Sequence, residues 1–114
     1  MTAIDGYPQP YAAKIEGLAT HLGPASYTQV TPGSPPTGGD TLYAAEFGLK
    51  FFDSVEVQGL DDTGTYGAHA VWPGNISGQP TSVKLFWFTA AGGAEVGGAT
   101  DLSAKSLRIR ATGT

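Results

Sequence analysis

The run Ser82-Val-Lys-Leu-Phe-Trp-Phe88 restricts the fold of this chain more than any other segment. Successive side chains of a strand point to opposite faces, so Val83, Leu85 and Trp87 form one face and Lys84, Phe86 and Phe88 the other. A face with two phenylalanines near a strand end is not plain solvent, and it predicts contact with another layer of the domain or with another protein. Leu107-Arg-Ile-Arg-Ala111 repeats the alternation. Between such runs the sequence is punctuated by turn formers, with 17 glycines and 8 prolines in 114 residues. Short strands separated by turn signals at intervals of about 8 to 12 residues predict a sandwich or small barrel. The predicted fold class is therefore mainly β: a small antiparallel β-sandwich or barrel-like domain over residues 26–114, preceded by an amino-terminal arm over residues 1–25.

The arm differs from the rest. Gly6-Tyr-Pro-Gln-Pro10 favours extended backbone, because each proline fixes its own φ and restricts the residue before it. Tyr11, Ile15, Leu18 and Leu22 then recur at intervals of four, three and four, which is one face of a short helix ended by Gly23-Pro24. Gly17 weakens that helix, so an extended continuation stays open. With Tyr7, these residues form an aromatic and aliphatic stripe that must be buried somewhere. It either covers an open face of the sandwich or contacts a neighbour.

Ser26-Tyr-Thr-Gln-Val-Thr31 predicts a short strand, and Pro32 to Gly39 a surface loop with nothing apolar to bury. Leu42, Ala44 and Phe47 precede a second alternating run with Phe51, Val55 and Val57 on one side, broken by a phase change or bulge near Phe52-Asp53. Asp61-Asp62-Thr63-Gly64 predicts a turn, joining that run to Thr65–Trp72 as a hairpin. The total is six or seven strands.

The inventory for catalysis is poor. There is no cysteine, and His21 and His69 have no recognisable metal-ligand spacing, so neither a metal nor another cofactor is expected. His69, between two alanines, reads as a structural residue. Asp61 and Asp62 read as turn chemistry rather than an acid and base pair, and without the spaced ligands of a calcium loop. Gly92-Gly93 and Gly97-Gly98 read as hairpin turns, Ser103 and Ser106 lack the setting of a nucleophile, and Asn75-Ile-Ser77 is a chance glycosylation triplet in a chain expected to be soluble and unexported. Trp72, Trp87, Tyr66 and Tyr43 suit a sugar-binding platform, although core packing is the stronger reading of both tryptophans.

A net charge of -4 with only six lysines and arginines argues against nucleic acid as a partner, and no apolar run is long enough to span a membrane as a helix. Acidic residues concentrate between Asp40 and Asp62, and basic ones among Lys84, Lys105, Arg108 and Arg110. Pairing between neighbouring strands is the simpler use of that asymmetry; complementarity between copies or with a scaffold is the other.

Ser26-Tyr-Thr-Gln-Val-Thr-Pro-Gly33, Gly39-Asp-Thr-Leu-Tyr-Ala-Ala-Glu-Phe-Gly48, Val83-Lys-Leu-Phe-Trp-Phe88, Gly93-Ala-Glu-Val96 and Thr100-Asp-Leu-Ser103 together resemble small structural proteins of tailed bacteriophages. The resemblance is one of pattern and length over about residues 26–113, without a catalytic signature. It implies a non-enzymatic decoration or cement protein on the capsid surface, made in the host cytoplasm and present in many copies, with the major capsid protein as partner and a homo-oligomer as its form. Tyr7, Tyr11, Ile15, Leu18 and Leu22 are the residues expected to make the contact. The alternative is a tail- or fibre-associated adhesin domain that binds host carbohydrate through Trp72 or Tyr66.

Overall fold

The structure, a computed structural model, describes residues 15–33, 35–73 and 79–114. Six strands form two three-stranded antiparallel sheets. Sheet I has the order β1-β6-β3, from Ile15–Leu22, Ser106–Gly113 and Phe52–Val57. Sheet II has the order β2-β5-β4, from Asp40–Tyr43, Ser82–Thr89 and Tyr66–Val71. A 3₁₀ turn, Ala44–Phe47, follows β2 and ends at Gly48 in the left-handed region, φ 74°.

The two alternating runs become the central strands. Val83, Leu85 and Trp87 of β5, with Leu107, Ile109 and Ala111 of β6, are buried in one core with Tyr27, Leu42, Phe52 and Leu102. The bulge expected near Phe52-Asp53 lies between Phe52 and Ser54. It turns Phe52 inward to join Val55 and Val57 at the core and leaves Phe51 exposed.

Four expectations are corrected. Ile15–Leu22 is a strand paired along its whole length with β6, not a helix. A spacing of four residues keeps Leu18 and Leu22 on one face of a helix and equally on one face of a strand, so pairing with β6 decides the outcome. Gly17 also suits the strand: a Cβ there would lie 2.9 Å from the Phe47 Cβ and carbonyl oxygen. The Asp61 turn does not close a hairpin, because β3 pairs with β6 and β4 with β5. Turn chemistry dictates a reversal, whereas partner choice follows the buried faces. Residues 26–30 run without a ladder; Tyr27 bonds Thr100 and Ala99 through its backbone, and Thr31 bridges Thr37. Pro36, in a loop expected to bury nothing, is buried.

Candidate interaction surface

β1 presents two chemically different faces. Its inward positions are Gly17, Ala19 and His21, and its outward positions are Glu16, Leu18, Thr20 and Leu22. Leu18 is 64% exposed, Leu22 62%, and Ile15, at the start of the strand, 51%. Of the five residues expected to make contact, these three lie on one edge strand; Tyr7 and Tyr11 lie outside the described residues. The outer face of sheet I continues through Arg108 and Arg110 of β6, opposite Thr20 and Leu18, to Glu56 of β3. Arg110 bridges Glu16 at 3.2 Å and Glu56 at 3.3 Å, so one guanidinium ties the three strands on a solvated face, as the simpler reading of the charge asymmetry expected. Being solvent-screened, such exposed pairs add little to stability. Leu18, Ala19, Thr20 and Arg108 line a shallow hollow of about 160 Å³.

Beneath this face His21 holds β1 to the other sheet. Its Nε2 donates to Asp40 Oδ2 and its Nδ1 to Glu46 Oε1, both at 2.7 Å. Asp40 Oδ2 also accepts the indole N–H of Trp87 at 3.0 Å. Two carboxylates, which only accept, facing both ring nitrogens favour the imidazolium. Burial pushes the His21 pKa down, but the hydrogen bonds and charges of Asp40 and then Glu46 outweigh it and leave the pKa raised. The sequence offers no role for His21 beyond its lack of metal-ligand spacing; a buried histidine with partners 19 and 25 residues away leaves no local signature.

A second polar group lies nearby. Tyr27 Oη accepts the Trp87 backbone N–H at 3.1 Å and donates to Glu95 Oε2 at 2.9 Å, while burial and the Glu95 carboxylate raise its pKa. Asp61 accepts bonds from the backbone N–H groups of Thr63, Thr65 and Tyr66 and from the Thr63 hydroxyl. Burial raises its pKa, yet those donors prevail and lower it to about 2, so it is the turn residue the sequence indicated.

The outer face of sheet II carries Phe86 and Phe88, half-buried, with exposed His69 stacked on Phe86 at 4.8 Å between ring centroids. At one end, Pro35, Pro36, Val71, Pro73, Ser82 and Lys84 line a groove of about 330 Å³. Trp72, expected in the core, is 39% exposed, between the groove-lining Val71 and Pro73 in the chain, whereas Trp87 is fully buried. Tyr66 is half-buried against the core with Lys105 Nζ 5.8 Å above its ring. Among the described residues no group of three or more histidines and carboxylates is placed to hold a metal ion, and no helix is long and apolar enough to cross a membrane. Comparison with family models, curated proteins and solved structures finds no match for this chain.

Proposed function

We propose that this chain is a non-enzymatic structural protein of a virus particle: a head decoration or cement protein of a tailed bacteriophage that binds major capsid subunits as an oligomer at the capsid surface. The observation that carries this reading is the exposure of Leu18 and Leu22 on a strand whose opposite face is fixed by His21. Apolar side chains held on a rigid strand lose little entropy on docking, and their burial supplies the favourable term. The resemblance of residues 26–113 to phage structural proteins supports the same reading, and the stripe that the sequence marked for a neighbour supplies the residues.

Cosedimentation of the full chain with expanded, empty phage shells tests it. Saturable binding that weakens in the Leu18→Ser, Leu22→Ser double variant is the expected result, together with a higher melting temperature of the decorated shell. Absence of binding by the unaltered chain overturns it.

Trp72 favours a second reading, a tail or fibre adhesin domain binding carbohydrate, because an exposed indole suits a sugar ring and both its chain neighbours, Val71 and Pro73, line the groove. Quenching of Trp72 fluorescence by oligosaccharides, lost in Trp72→Ala, is its signature. Tyr66 contributes less to this reading, being half-buried beneath Lys105.

A further inference from the structure

We infer that β1 pairs edge to edge and antiparallel with β1 of a second copy, joining two sheets I into one continuous six-stranded sheet. The inference deepens the oligomer part of the functional reading, and it concerns self-association in solution, so its failure leaves shell binding to be judged separately.

The four sheet edges are not equivalent. β2 has only four residues, and its outward backbone N–H at Tyr43 is taken by Glu46 Oε2 at 2.9 Å. β3 is broken by its bulge, and the N–H of Phe52 is taken by the Pro80 carbonyl at 2.8 Å. β4 has Tyr66 bonded through both backbone groups to Asp61. Short length, bulges and covering loops are the devices by which sheet edges avoid partners.

Among the described residues, β1 has none of them. It runs for eight residues without a bulge or a proline. Gly23 N–H donates to the Lys105 carbonyl at 3.0 Å, which fixes the alternation: Gly17, Ala19 and His21 turn their backbone groups toward β6, and Glu16, Leu18, Thr20 and Leu22 turn theirs outward. Bonding of Gln58 N–H to the Arg108 carbonyl on the far side of β6 follows from the same phase. Among the described residues, the outward N–H and C=O groups of Glu16, Leu18, Thr20 and Leu22 have no hydrogen-bond partner.

A second copy is the occupant these features fit. An antiparallel edge is complementary to itself across a twofold axis, the commonest symmetry of homo-oligomers. With the axis at Thr20, each Thr20 exchanges both backbone bonds with Thr20 of the second copy. Leu18 then lies opposite Leu22 of the second copy, and Leu22 opposite its Leu18, so the outer faces match and four exposed leucines close into one row. Charge permits it: Glu16 is the only acidic side chain on β1 and is bound to Arg110, and Arg108 has no carboxylate partner among the described residues. Among the described residues, no like charges are placed opposite one another across the seam.

Sedimentation velocity of the full chain over a concentration series, with two variants, tests the inference. The expected result is a reversible rise from monomer to dimer mass, abolished in Thr20→Pro, which removes the outward N–H at the axis. The chain has no cysteine, so Thr20→Cys supplies an independent readout whatever the folding of the proline variant. Under mild oxidation T20C forms a covalent dimer at least tenfold faster than Ser54→Cys, whose cysteine sits on the outer face of bulged β3. A chain that stays monomeric throughout, a dimer that survives Thr20→Pro, or equal cross-linking of the two cysteine variants overturns it.

Discussion

His21 and Asp40 face each other across the sandwich, Nε2 to Oδ2 at 2.7 Å, and that bond joins the edge strand of one sheet to the edge strand of the other. With Glu46 on the second ring nitrogen and the Trp87 indole on the same Asp40 oxygen, the bond becomes a four-residue network. A network of this kind is worth most when complete, since each member left alone is a buried polar group without water.

Removing the shared acceptor is therefore expected to be severe. Asp40→Ala leaves the His21 Nε2–H and the Trp87 indole N–H without an acceptor while Glu46 still holds Nδ1, and the expected loss is about 1–3 kcal/mol for each orphaned donor. Urea unfolding followed by Trp87 fluorescence measures it. Glu46→Ala is milder, because Glu46 is partly exposed and its place on Nδ1 can be taken by water.

The same network makes stability fall as pH rises above 6.5. The pKa of His21 in the folded chain is raised above 6.5, its value when unfolded. Protonation thus favours the folded state: the contribution is complete below pH 6.5 and is lost as pH rises through the raised value. The groups facing His21 are Asp40 of β2 and Glu46 of the 3₁₀ turn, with Trp87 of β5 bound to Asp40. The urea midpoint is expected to decline through that window, and His21→Leu to flatten the decline; an unchanged slope in His21→Leu refutes the assignment.

Asp61 governs the acid limb. Its pKa is about 2 in the folded chain against 3.8 for the free group, so its contribution is present above 3.8 and disappears as pH falls through about 2. Asp61→Ala deprives the Thr63, Thr65 and Tyr66 amides of their acceptor, with an expected cost of ~1–3 kcal/mol at neutral pH. Acid unfolding monitored by circular dichroism checks whether the limb moves to higher pH in Asp61→Asn.

Gly17 is expected to tolerate no side chain. Placing a Cβ 2.9 Å from both the Cβ and the carbonyl oxygen of Phe47 forces β1 away from the 3₁₀ turn, and Gly17→Val should lower stability by about 1–3 kcal/mol. Thermal unfolding reads this out, with Thr20→Val, on the solvent face of the same strand, as a control expected to lie within ~0.5 kcal/mol of the unaltered chain.

The central strands were legible because β5 and β6 each carry one wholly apolar face, opposed by a mixed face in β5 and a polar one in β6, a pattern with a period of two and no helical counterpart. The turn at Asp61 was legible for a different reason: aspartate bonds the amides that follow it and Gly64 takes φ 72°, both local matters. β1 was not, since the spacing of Leu18 and Leu22 satisfies helix and strand alike, and the arbiter, β6, lies more than 80 residues along the chain. The hairpin expected from β3 to β4 failed in the same way, because a turn specifies a change of direction and leaves the choice of sheet to distant residues. Trp72 was misplaced for a third reason. β4 ends at Val71, so the alternation that would have carried the indole inward stops one residue short of it.

The position of β6 has a consequence for the order of synthesis. It is the middle strand of sheet I, and both of its neighbours, β1 and β3, precede it in the chain. On the ribosome β2, β4 and β5 can assemble while these two flanking strands wait, with Ala19, Phe52 and Val55 uncovered, until residues through Gly113 have cleared the exit tunnel. Sheet I then closes in one late event, so the interval before it is when the nascent chain depends most on chaperones.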